Sequence, residues 1–67
     1  MKVTFTQEEL EADCKAIFKK YGHARTPIEA VGCWESMNGL NAPMHIKIKA
    51  PYRPIVEDIY RKLLEQE

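Results

Sequence analysis

The apolar positions of this 67-residue chain follow two rhythms, a spacing of two in some stretches and of three or four in others. Val3 and Phe5 alternate with Lys2, Thr4 and Thr6, which predicts a short first strand. Leu10, Cys14, Ile17, Phe18 and Tyr21 then recur at helical intervals and form one apolar stripe. Thr6 with Glu9 matches a capping box, in which each side chain satisfies a backbone N–H of the other, and Phe5 with Leu10 matches a hydrophobic staple. Acids crowd the first turn and lysines the last, which suits the helix dipole, and Gly22 is the natural stop.

A second stripe lies near the other end, made of Tyr52, Ile55, Val56, Ile59 and Leu63. Pro54 fits a first helical turn, where its missing N–H costs nothing. Glu57–Arg61 and Asp58–Lys62 are i,i+4 pairs of the favourable polarity, and this helix is expected to run almost to Glu67. Just ahead of it, Met44, Ile46 and Ile48 alternate with His45, Lys47 and Lys49, the pattern of a half-buried strand ended by Pro51.

The middle of the chain carries conflicting signals. Thr26-Pro27-Ile28-Glu29 reads as a helix start, with a capping residue, a proline and a glutamate in order. Against it, Gly32 stands mid-segment at a cost of ~1 kcal/mol in a helix, and Val31, Cys33 and Trp34 suit a pleated surface. Asn38-Gly39 is a turn signal leading into the strand at 44–49. A strand from about Ile28 to Met37, hairpinned onto 44–49, is favoured over a short helix. The expected order is β-α-β-β-α, an α+β fold with an antiparallel sheet of about three strands and two helices packed on one face. The whole of 1–67 is read as a single domain.

Composition changes this picture in two ways. A chain this short buries only roughly 60% of the surface that its unfolded form exposes, so a stabilising supplement is expected. Two cysteines are too few for a disulfide scaffold, and no apolar run has the length of a signal peptide or a membrane span, which points to a reducing, cytoplasmic setting. A second copy of the chain remains as the supplement, and a homodimer through the sheet edge or the hairpin is expected. Ten basic and ten acidic residues cancel, which permits self-association and argues against a dedicated nucleic-acid binder. The charges are nevertheless segregated. Residues 1–13 carry Lys2 against Glu8, Glu9, Glu11 and Asp13, whereas 14–25 carry Lys15, Lys19, Lys20 and Arg25 with no acid.

Candidate chemistry is sparse. Cys14, His23, Cys33 and His45 have the composition of a zinc site, but 8, 9 and 11 residues separate them, where structural sites present ligands in close pairs. Neither a metal nor a cofactor is expected. Cys33 and His45 would need the hairpin to meet as a nucleophile and base, with no third group to orient them. No glycine-rich phosphate loop exists, since the glycines are Gly22, Gly32 and Gly39. No catalytic residue is assigned, and enzymatic activity is not expected.

Two surfaces stand out. The loop 38–44 carries Leu40 and Met44 where a plain connector would be polar, and Trp34 sits on a strand with no clean apolar face. Trp34, Leu40, Asn41, Met44 and Tyr52 are therefore the expected partner-binding residues. They would serve a small protein-interaction module, an adaptor or inhibitor-like regulator of the phage or mobile-element type, which occupies a surface of another protein. The alternative is nucleic-acid binding by a basic sheet face formed by Lys2, His45, Lys47, Lys49 and Arg53.

Overall fold

A computed structural model describes residues 2–66; Met1 and Glu67 lie outside the described residues. Helix α1 spans Gln7–Tyr21, α2 spans Pro27–Met37, α3 is the single turn Ile46–Lys49, and α4 spans Arg53–Glu65. Short 3-10 turns at Gly22–Ala24 and Pro43–His45 link them. Among the described residues there is no strand, so the expected α+β fold with a three-stranded sheet is replaced by an all-helical one.

Helix α1 forms as its sequence predicts. Thr6 N–H donates to Glu9 Oε1 at 2.8 Å, and Glu9 N–H donates to Thr6 Oγ1 at 3.1 Å. Leu10, Cys14 and Ile17 are buried, with Phe18 and Tyr21 half-buried beside them. The chain turns away at Gly22, whose φ of 52° lies in the region that favours glycine. The segment ahead of α1, expected as a first strand, forms none: residues 2–6 carry no regular secondary structure. Phe5 is buried, edge-on to Trp34 and Tyr52 at ring-centroid distances of 5.2 and 5.1 Å, while Val3 faces solvent.

The segment expected as the second strand is α2. Thr26 and Glu29 form a second reciprocal capping box, and Pro27 occupies the first helical position. Ala30, Val31, Trp34 and Glu35 are its buried residues, a helical spacing that gathers on one face what a strand would have split between two. The cap and the burial outweigh the helix penalty of Gly32. Asn38-Gly39 then ends the helix instead of opening a hairpin. Gly39 adopts a φ of 67° and donates to Ser36 O at 3.2 Å, while Leu40 N–H reaches back to Glu35 O at 2.8 Å. This is the Schellman termination, and it drops Leu40 into the core.

Without a partner strand, 44–49 cannot satisfy its backbone as a strand, and it closes local helical bonds instead. Its alternation does not correspond to burial: Met44 is 81% exposed, whereas Lys49 is 6% exposed. Helix α4 lies against both α1 and α2. Val56 and Tyr60 are fully buried in the cluster that holds Leu10, Cys14, Ala30, Val31 and Trp34. Tyr60 also donates to Gly22 O at 2.6 Å, tying α4 to the end of α1. Of the two ion pairs expected on α4, Asp58–Lys62 is present at 3.1 Å, while Arg61 turns to Asp58 at 2.9 Å.

Candidate interaction groove

The residues expected to bind a partner are dispersed by this fold. Trp34 and Leu40 are both fully buried and offer no surface. Tyr52 is half-buried, and its hydroxyl accepts from Phe5 N–H at 3.2 Å. Asn41 and Met44 are exposed in the connection between α2 and α3. One buried donor of this core, Trp34 Nε1, has no hydrogen-bond partner among the described residues.

The basic sheet face does not form, because the sheet is absent and its cations are engaged elsewhere. Lys2 pairs with Glu9. Lys49 and Arg53 converge on the buried Glu35, with Arg53 Nε at 2.9 Å and Lys49 Nζ at 3.6 Å from the same carboxylate oxygen. Burying Lys49 without that carboxylate would be costly, so the cluster is a structural seam between α2, α3 and α4. His45 is half-buried, and Lys47 alone of the set is exposed without an ion-pair partner among the described residues.

The thiols are also far apart in role. Burial pushes the Cys14 thiol up to about 12, and its Sγ contacts Val56 O at 3.7 Å in the core. Cys33 is half-buried between α1 and α2, and among the described residues no hydrogen bond joins it to His45. No three His, Cys, Asp or Glu side chains gather as metal ligands among the described residues. Nor is any helix among them long and apolar enough to cross a membrane.

What the fold does build is a groove of about 600 Å³ between the second half of α1 and the neighbouring face of α2. Ile17 is its buried lining residue, Cys33 is half-buried beside it, and Tyr21 and Met37 bound it with apolar surface. Ala16, Gly32 and Ser36 contribute little or no side chain, which is why the two helices leave a trough here instead of interlocking. Gly32 is the informative residue. Its backbone is ordinary helix, not the positive-φ conformation seen at Gly22 and Gly39, and a Cβ built on it would meet nothing within 4 Å. Nothing in the chain's own packing calls for a glycine there.

Charge sits on one end of this groove. The Arg25 guanidinium lies 4.3 Å from the centroid of the Tyr21 ring, and Lys20 Nζ lies 5.4 Å from the same centroid. Neither cation makes an ion pair within 4 Å among the described residues, although, after the Thr26 hydrogen bonds, the charge of Arg25 helps to lower the pKa of Glu29. Glu29 is the acid of the rim, and its carboxylate is engaged: hydrogen bonds from the Thr26 backbone and side chain hold it below the usual range. The groove thus joins an apolar trough to a cationic, aromatic end. Comparison with protein-family models, curated proteins and solved structures found no match.

Proposed function

We propose that this chain is a small, non-enzymatic protein-interaction module, an adaptor or inhibitor-like regulator that acts by occupying a surface of another protein. The groove between α1 and α2 is its contact. One observation carries this reading: a mid-helix glycine, unfavourable by ~1 kcal/mol relative to alanine, lines an apolar groove in which the chain itself gives it no work. A residue that costs stability and serves no internal contact is accounted for by something outside that needs the space. Lys20 and Arg25 give the contact its polarity, favouring a segment that presents an apolar anchor followed by a carboxylate. The unbridged thiols Cys14 and Cys33 are in keeping with a reducing, cytoplasmic setting.

Selection of displayed peptides on the folded chain tests this. Selected sequences are expected to combine a large apolar residue with a nearby Asp or Glu, and to lose at least about tenfold in affinity when Gly32→Trp fills the groove. Failure to select any peptide, or binding indifferent to Gly32→Trp, would count against the groove as the contact.

A further inference from the structure

The outward face of α1 has a charge order that complements itself on reversal. Glu8, Ala12, Ala16 and Lys19 follow one another at steps of four, four and three, on the side opposite the buried Leu10, Cys14 and Ile17, and all four are exposed. Glu8 stands at one end of this face and Lys19 at the other, with Ala12, Lys15 and Ala16 between them. Some of this order compensates the helix's own dipole. That role requires neither the small residues in the middle nor so complete a separation of sign. Lys19 and Lys20 have no carboxylate partner among the described residues.

We infer that a second copy of this chain docks along this face, α1 against α1 in antiparallel orientation, about a two-fold axis beside Ala12 and Ala16. In that register Glu8 of each copy faces Lys19 of the other. A two-fold interface repeats each pair, so every attraction occurs twice. The parallel arrangement sets acid against acid and base against base, and is disfavoured. Alanines at the crossing let the helix axes approach to about 8 Å, the close end of the normal range. Zero net charge leaves no long-range repulsion to overcome. Ala16 belongs to both this face and the groove, so the second copy borders the groove. This inference rests on the reading of the chain as an interaction module and supplies one partner for it, the chain itself.

Light scattering on charge-reversed variants tests the interface. The wild type is expected to approach twice the 7.8 kDa chain mass as its concentration rises. Glu8→Lys and Lys19→Glu, each alone, place like charges opposite one another and should raise the dimer dissociation constant about tenfold. An equal mixture of the two variants restores opposite charges at both ends and should associate as well as the wild type does. Ala12→Arg, a good helix former at an exposed position, should keep the helical circular-dichroism spectrum and remain a monomer. A wild type that stays monomeric at millimolar concentration, or a mixture that associates no better than its components, overturns the dimer. Peptide binding sensitive to Gly32→Trp in a monomeric chain would leave the groove standing while the dimer falls. A charge-restored dimer that selects no peptide would do the reverse.

Discussion

Helix α2 is packed differently on its two sides. Toward α4 it presents Ala30, Val31 and Trp34, all buried, and seals the seam with Glu35 against Lys49 and Arg53. Toward α1 it presents Gly32, Cys33 and Ser36, and the seam stays open as the groove. One side carries large buried side chains and a neutralised buried charge; the middle of the other is lined with small ones, between Glu29 and Met37. The open side is therefore not simply a failure of a small chain to fill its interior, because toward α4 the same helix buries Ala30, Val31 and Trp34 and leaves only a smaller hollow of about 320 Å³ beside Ile28 and Pro54. The larger side chains of α2 are placed toward α4, and the smaller ones toward α1.

The largest expected effect lies on the sealed side. Glu35→Ala strands Lys49, 6% exposed, without its carboxylate, and should destabilise the chain by about 3 kcal/mol in chemical denaturation. A loss of a few tenths would mean that the seam is held by apolar packing alone, and the contrast between the two sides would weaken. The open side predicts the smaller effect. In the folded chain a small alkylating reagent should modify Cys33 and spare Cys14, whose thiol burial keeps protonated up to about 12. The product should keep its stability to within about 0.5 kcal/mol, since the added group enters open space. Mass spectrometry of the modified residue, before and after denaturation, checks both points.

Much of the fold was legible in local signals. The capping box and the apolar stripe of α1 are present, Phe5 and Leu10 both lie in the buried core, and Pro54 sits in the first turn of α4 as expected. The start of α2 was equally legible in Thr26-Pro27-Ile28-Glu29. Its body was not, because a glycine and a buried glutamate interrupt the apolar spacing, and the partners that make Glu35 a core residue come from Lys49 and Arg53, far along the chain. The alternation at 44–49 misled for the same reason: Lys49 reads as an outward polar position until its carboxylate is known. Tyr60 escaped notice although it follows Val56 by four residues, a helical step. The groove had a signal too, the small residues Ala16, Gly32 and Ser36, but these align only once 27–37 is read as a helix. Trp34 looked like an anchor because a strand left it no clean face; a helix gives it the core.

Gly32→Ala tests the central contrast most directly. If the glycine is there only to keep the groove open, alanine should raise the denaturation midpoint and add about 0.8–1 kcal/mol, since the helix gains a better former and the new methyl meets no neighbour. A midpoint that falls would show that the fold itself requires glycine at this position, and the groove would no longer be a surface that this chain holds open for another molecule.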